Sequence, residues 1–167
     1  MERSDIYILC IEDEQEVLDA VVRDLEKLEE QFPVETSTSA EEARDVIEKL
    51  LDDGKKIGLI LCDHILPGDN GVELLIELHK NDRTHTSRKV LLTGQAGLDD
   101  TVRALNEARL HHYISKPWSR EELLEVSVKL LTDFVIEEEE NLLPYMSTLD
   151  AERISENIRT RHNVSDE

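Results

Sequence analysis

The chain has 167 residues, 39% of them hydrophobic, and a formal net charge of −20 at pH 7. This size suits one ordinary domain with an extension, and the apolar share suffices for a core of four or five strands with their helices. The strong negative charge argues against direct binding to nucleic acid, and without an apolar run of 18 residues or a signal peptide we expect neither a membrane span nor export.

The first predicted element is a buried strand over residues 6–11, whose apolar run ends at the acidic pair Glu12-Asp13. A short continuous apolar run is typical of a strand in a parallel sheet that is covered on both faces. Apolar residues then recur at helical spacing over residues 17–28. This spacing predicts a first helix that ends near residue 31, before Pro33.

The next pair of elements is a weak strand and a well-capped helix. Residues 34–38 are polar and β-branched, which favours a strand at the edge of the sheet. Ser39 and Glu42 have the spacing of a capping box. The apolar face of the second helix continues to residue 51, and Gly54 is expected to stop it.

The third strand is predicted from the apolar run over residues 57–62, which stops abruptly at Asp63. A carboxylate at the carboxyl end of a buried strand lies where open α/β sheets bind their ligands. Residues 66–71 are rich in turn formers, and residues 72–78 are predicted to form the third helix. Alone, Asp63 would be as well explained as a helix cap or a turn residue.

The last strands are shorter and also end in polar residues. Residues 89–92 form an apolar strand that ends at Thr93, and residues 113–115 form another that ends at Lys116. A thin helix is predicted over residues 98–108 between them. A fifth helix, capped by a second capping box, is predicted over residues 119–134.

The alternation of strand and helix predicts an α/β fold with a five-stranded parallel sheet and helices on both faces. Because the carboxyl ends of parallel strands share one edge, the polar residues that follow these strands are expected to converge there. They are Glu12, Asp13, Asp63, Thr93 and Lys116.

This set of side chains suits phosphoryl transfer. Three clustered carboxylates repel one another unless a cation lies among them, and Mg²⁺ prefers such oxygen ligands. Lys116 can pair with a carboxylate or a phosphate oxygen, and Thr93 supplies a hydroxyl donor. One carboxylate can then serve as the nucleophile and form an acyl phosphate.

At these spacings the chain resembles the receiver domains of two-component response regulators, over residues 6–134. The matching positions are Glu12-Asp13, Asp63, Leu66-Pro67-Gly68, Gly71, Thr93-Gly94, Tyr113 and Lys116-Pro117. The resemblance implies a flavodoxin-like sheet with strand order 2-1-3-4-5. It also implies a signalling domain that is not an enzyme beyond its own phosphotransfer and slow autodephosphorylation.

The resemblance also implies a role for each matched residue. Asp63 is expected to be the phosphoacceptor and a metal ligand, and Lys116 and Thr93 to hold the phosphoryl oxygens. Asp13 is expected to bind Mg²⁺ directly, Glu12 to assist through water, and the backbone carbonyl of Ile65 to be a further ligand. Glu12 departs from the family, which more often has Asp there.

The expected switch and partners follow from the same resemblance. Tyr113 is expected to turn inward when Thr93 moves toward the phosphoryl group, and the Lys116-Pro117 bond is expected to be cis. The phosphodonor would be a sensor histidine kinase or a phosphotransfer protein, and the output an unknown downstream protein target. Family members often dimerise through their fourth and fifth helices, so a homodimer is expected as well.

Two other functions fit parts of the pattern. A haloacid dehalogenase-type phosphatase also uses an aspartyl nucleophile after a strand, but it needs a second Asp where this chain has Ile65. A pseudo-receiver, which is purely a binding module, is disfavoured by the complete set of acids, threonine and lysine.

Several further residues have structural explanations. The pleat of the strand points His64 away from Asp63, and His111-His112 lack the partners of a zinc site, so we expect structural or solvated roles. Trp118 is expected to be exposed beside the fifth helix. Cys10 and Cys62 are expected to be packed free thiols of a cytosolic protein, with a disulfide as the alternative if their strands are neighbours.

We divide the chain into a receiver domain, residues 1–136, and an acidic extension, residues 137–167. The extension carries an apolar patch over residues 142–149 and a predicted short helix over residues 151–161. It is expected to pack on the receiver or pair two chains, and the alternative is that it leads into a further region.

Overall fold

The computed structural model of the chain describes residues 3–94 and 98–165. The elements, in order, are β1 (Ile6–Ile11), α1 (Gln15–Asp24), α2 (Glu26–Glu29), β2 (Val34–Ser37), α3 (Ala40–Asp52), β3 (Lys56–Asp63), β4 (Ile65–Leu66), β5 (Asp69–Asn70), α4 (Gly71–Lys80), β6 (Arg88–Thr93), α5 (Leu98–Glu107), β7 (His112–Ser115), α6 (Arg120–Glu138), a 3₁₀ turn (Leu143–Tyr145) and α7 (Ala151–Ser165).

Five strands form one parallel sheet in the order β2-β1-β3-β6-β7. Because β4 and β5 form a separate two-stranded antiparallel hairpin, this is the predicted 2-1-3-4-5 order, and the fold prediction is confirmed. The short strand β2 lies at an edge, as its polar composition indicates. The hairpin was not predicted, because two-residue strands carry no periodicity.

The first predicted helix is divided in the structure, and this part of the prediction was wrong. Helix α1 ends at Asp24, and after Leu25 the separate turn α2 covers four residues. Leu25 and Leu28 are nonetheless fully buried. Periodicity reports which side chains face the core, and a local change in the backbone hydrogen bonds leaves that pattern intact.

Helix ends follow the predicted capping chemistry. The Ser39 and Ser119 side chains accept hydrogen bonds from the backbone N–H groups of Glu42 and Glu122, each at 3.1 Å. Gly54 follows the end of α3 with φ +82°, a conformation that glycine adopts without steric cost. These local signals are readable from sequence because each involves residues only a few positions apart.

The sheet separates two apolar cores, one beneath α1 and α6 and the other beneath α3, α4 and α5. Cys10 lies in the first core and Cys62 in the second, so their side chains occupy opposite faces of adjacent strands. Both are free thiols, as expected, and the alternative of a disulfide was wrong.

The C-terminal extension completes the first core. Leu142, Tyr145, Leu149 and Ile154 are buried within it, and the Tyr145 ring stacks on Phe32 with centroids 5.9 Å apart. The expected packing of the extension on the preceding part of the chain is therefore confirmed. Helix α6 itself runs to Glu138, past residue 136.

Within the described residues, no helix is long and apolar enough to cross a membrane.

A fully buried lysine lies at the amino end of β6. Lys89 Nζ donates to the backbone oxygens of Ser87 at 2.8 Å, Thr84 at 3.2 Å and His85 at 3.4 Å. Burial lowers the pKa of Lys89 to about 8, from 10.5. These bonds tie the loop after α4 to the sheet, at the end opposite the strand-end acids.

We predict that Lys89 makes the free energy of unfolding rise with pH between about 8 and 10.5. In that window the unfolded state binds a proton at Lys89 that the folded state does not, so raising the pH favours folding. A pKa difference of this size corresponds to at most about 3 kcal/mol. Urea unfolding at pH 7 and pH 10 should show this rise for the native chain relative to Lys89→Met, and parallel pH profiles would contradict it.

Candidate functional site

Three carboxylates lie together at the carboxyl edge of the sheet. Glu12 and Asp13 follow β1, and Asp63 ends the adjacent strand β3. Each offers an oxygen within 4.8 Å of the others; Glu12 and Asp63 are buried, whereas Asp13 is exposed. The predicted convergence of these acids is confirmed in the structure.

Lys116 joins this cluster from the end of β7. Its Nζ lies 2.8 Å from Glu12 Oε2 and 3.0 Å from Asp63 Oδ1. The Lys116-Pro117 bond is cis, as expected. One ammonium group therefore contacts two carboxylates, and the third carboxylate remains open to solvent.

The electrostatics of the cluster leave an excess of negative charge. Burial raises the pKa of Glu12, although its hydrogen bonds to Lys116 and to the Glu14 backbone N–H act in the opposite direction. Burial alone would lower the pKa of Lys116, but its bonds to Glu12 and Asp63 outweigh that effect and raise it. The Lys116 side chain therefore stays charged. The carboxylate oxygens of Glu12, Asp13 and Asp63 are hard donors that fit a divalent ion such as Mg²⁺.

Gly71 fixes the backbone of Asp63. It begins α4, and its N–H donates to His64 O at 2.8 Å. A Cβ on Gly71 would lie 1.9 Å from the carbonyl oxygen of Asp63, far inside van der Waals contact. Only glycine allows the start of α4 to come this close to the end of β3, which explains the spacing between Asp63 and Gly71 in the sequence.

We predict that Gly71→Ala both destabilises the fold and displaces Asp63. The methyl group forces the two backbones apart, and overpacking of this kind costs about 1–3 kcal/mol. Thermal unfolding should show the loss, and modification of Asp63 should slow. Gly94→Ala is the matched control, because a Cβ there meets nothing within 4 Å. Equal effects of the two substitutions would contradict the steric explanation.

The residues of the expected switch lie outside this contact network. Thr93 ends β6 beside Asp63, whose neighbour in register is Leu92. Thr93 Oγ1 is buried and has no hydrogen-bond partner among the described residues. The Tyr113 side chain is 50% exposed on the edge strand β7. Ile65 begins β4 directly after His64, with its side chain turned to solvent.

Two aromatic residues have roles that the sequence did not reveal. Trp118 is half-buried rather than exposed, and its Nε1 donates to Asp24 Oδ2 at 3.1 Å. His111 Nδ1 accepts the Lys89 backbone N–H at 2.9 Å, although the residue is exposed, as expected. No sequence signal identifies either contact, because each joins elements that are distant along the chain.

His64 makes a contact that was also missed. The strand pleat predicts that it points away from Asp63; in the structure the side chain is buried and its Nε2 lies 2.9 Å from Asp100 Oδ2 on α5. This pairing depends on how α5 lies over the sheet. Neither periodicity nor spacing reports that arrangement.

Comparison with known proteins identifies the same pattern. The family profile described as the response regulator receiver domain matches residues 8–127. The hydrogenase transcriptional regulatory protein HoxA of Cupriavidus necator is 33% identical over 71% of this chain and 22% of its own length. The phosphate regulon transcriptional regulatory protein PhoB of Escherichia coli is 34% identical over 70% of this chain and 48% of its own length.

Solved structures agree with this family. A CheY-like response regulator receiver domain from Methanospirillum hungatei is 31% identical, with a TM-score of 0.69, over 82% of this chain and 99% of its own. The chain spans about a fifth to a half of the curated relatives HoxA and PhoB. With the five-stranded sheet and the acid–lysine cluster described above, these matches show that the chain belongs to the response regulator receiver domain family.

Proposed function

We propose that this chain is a phosphoacceptor switch in which Asp63 takes a phosphoryl group from a sensor histidine kinase or a phosphotransfer protein. The observation that carries the proposal is the Asp63 carboxylate, which lies 3.0 Å from Lys116 Nζ and within one cluster with Glu12 and Asp13. A carboxylate oxygen of Asp63 forms the new O–P bond as the N–P bond of the donor histidine breaks.

The metal ligands in this proposal are Asp13 and Asp63 directly, Glu12 through water, and the backbone carbonyl of Ile65. A bound Mg²⁺ neutralises charge on the phosphoryl oxygens during transfer. Lys116 then exchanges part of its contact with Glu12 for a phosphoryl oxygen. Asp13 leaves room for a cation because it is exposed and makes no ion pair within the described residues.

The proposed readout runs through Thr93 and Tyr113. Thr93 Oγ1 is buried and has no partner in the part of the chain that the structure describes, so an incoming phosphoryl oxygen would satisfy it. Movement of Thr93 toward Asp63 makes room for the half-exposed Tyr113 ring to turn inward. Thr93, Lys116 and Tyr113 together would convert phosphorylation into a change of surface.

We further propose that the chain acts in the cytoplasm on a downstream protein target and as a homodimer, without direct contact to nucleic acid. It would carry out only its own phosphotransfer and slow autodephosphorylation. Residues 1–136 would form the receiver and residues 137–167 its acidic extension.

Incubation with acetyl phosphate and Mg²⁺, followed by intact-mass measurement, tests the central proposal. We expect one phosphoryl group per chain, removed by hydroxylamine as an acyl phosphate. A mass that stays unchanged would exclude the phosphoacceptor role, and turnover of unrelated phosphate esters would favour a phosphatase instead.

We predict that Asp13→Asn weakens Mg²⁺ binding by at least about tenfold, because it removes a charged ligand from a hard cation. Titration followed by the fluorescence of the single tryptophan, Trp118, measures the change. Asp19→Asn, on the exposed part of α1, is the matched control. An unchanged titration of Asp13→Asn would remove it from the ligand set.

A further inference from the structure

His64, the residue directly after Asp63, is held rigidly by its backbone. Its N–H donates to Leu92 O on β6 at 3.0 Å, and its carbonyl accepts the Gly71 N–H of α4 at 2.8 Å. The side chain is 10% exposed. Because backbone and ring are both fixed, a group bonded to this ring is positioned relative to Asp63.

The group bonded to the ring is Asp100, in the first turn of α5. His64 Nε2 lies 2.9 Å from Asp100 Oδ2, and His64 Nδ1 is buried without a partner. Since an ionised carboxylate can only accept hydrogen bonds, Nε2 is the donor. Within the described residues this is the only hydrogen bond of the ring, and it ends on α5.

Helix α5 follows β6 along the chain, so its first turn is connected to Thr93 by a short segment. The His64–Asp100 bond therefore joins the backbone next to Asp63 to the helix that follows Thr93 along the chain. Asp99, the preceding residue of the same turn, is exposed.

We propose that the His64–Asp100 hydrogen bond is a positioning contact that holds α5 in the unphosphorylated arrangement and breaks when Asp63 is phosphorylated. The proposal rests on the proposed function. The bond coexists here with an unpartnered Thr93 hydroxyl, a half-exposed Tyr113 and a Lys116 that contacts Glu12. In the proposed function, each of these three features changes when Asp63 is phosphorylated.

A contact made in only one of two conformations shifts their equilibrium by its own strength. A hydrogen bond to a charged group has a net strength that corresponds to roughly tenfold or more in such an equilibrium. Loss of the bond should therefore increase the population of the conformation that accepts phosphate. A contact that only stabilised the fold would lower the melting temperature and leave phosphate uptake unchanged or slower.

The test compares His64→Leu, Asp100→Ala and the double variant with the native chain. We expect acetyl phosphate to label each single variant about tenfold faster, and the double variant no faster than either, because all three lose the same bond. His64→Gln places an amide N–H at a similar reach and should restore a rate near that of the native chain. Asp99→Ala removes the same charge from the same helical turn and should also label at the native rate.

A second readout does not depend on labelling. Amide exchange in residues 98–102 should increase when the native chain binds Mg²⁺ and beryllofluoride, and it should already be increased in His64→Leu without them. Single variants that label no faster than the native chain would overturn this inference and leave the proposed function intact. A double variant whose rate increase is the product of the two single increases would do the same. A native chain that takes no phosphate would overturn the proposed function and this inference together.

Discussion

Replacement of Asp63 by Asn is expected to reduce phosphoryl uptake from acetyl phosphate below detection. The amide lacks the negative oxygen that attacks phosphorus, and it also removes one direct ligand from the proposed metal site. Lys116 keeps its contact with Glu12, so the rest of the site stays in place. Intact mass after incubation with acetyl phosphate and Mg²⁺ measures the outcome, and peptide mapping locates any residual label.

The control for this substitution is Asp69→Asn, in the loop between β3 and α4. Asp69 lies on the two-stranded hairpin, outside the acidic cluster, so uptake should stay at the native level. Asp63→Asn should keep or raise the melting temperature, because it relieves repulsion between buried carboxylates. Full labelling of Asp63→Asn at another residue would show that the phosphoacceptor has been misassigned.

The site was largely predictable because a parallel sheet brings the carboxyl ends of its strands to one edge. Glu12, Asp63 and Lys116 are distant in sequence, yet each directly follows or ends a strand, so the topology brings them together. Pairing of Lys116 with a carboxylate was predicted, but which carboxylates it contacts could not be. These contacts depend on side-chain rotamers that the order of the elements leaves open.

The contact of His64 could not be predicted from the order of the elements. The alternation of a strand predicts only that His64 points away from Asp63, whereas its bond to Asp100 depends on where α5 crosses the sheet. The break at Leu25 was missed for a related reason. Val21, Leu25 and Leu28 are buried before, at and after the break, so the apolar pattern continues although the helix does not.

Removal of residues 142–167 is expected to destabilise the receiver strongly. Leu142, Tyr145, Leu149 and Ile154 fill the core beside Phe32, and the Gln31 side chain donates to Pro144 O at 2.9 Å. Loss of one large aromatic side chain from a core already costs about 3–5 kcal/mol. For a chain of this size that corresponds to a fall in melting temperature of about 10 °C or more.

Calorimetry of the full chain, of a chain ending at Asn141 and of a chain ending at Asn163 measures this loss. The longer truncated chain keeps Leu142, Tyr145, Leu149 and Ile154, so it should melt like the full chain. An unchanged melting temperature for the shorter one would show that the extension contributes nothing to the fold.

The same three chains test self-association, because side chains of the extension that are buried within one chain cannot also form a dimer interface. Its buried side chains already contact their own receiver, and Arg161 donates to the backbone oxygens of Ile136, Glu139 and Glu140 near the end of α6. Leu142, Tyr145 and Leu149 of the apolar patch are therefore buried within one chain, whereas Leu143 remains exposed. A homodimer would have to use surfaces other than these buried side chains. We expect sedimentation with Mg²⁺ and beryllofluoride to show dimers of the full chain, retained in the chain ending at Asn163. Monomers in all conditions, together with a lower melting temperature only for the shorter truncated chain, would show that the extension serves the fold alone.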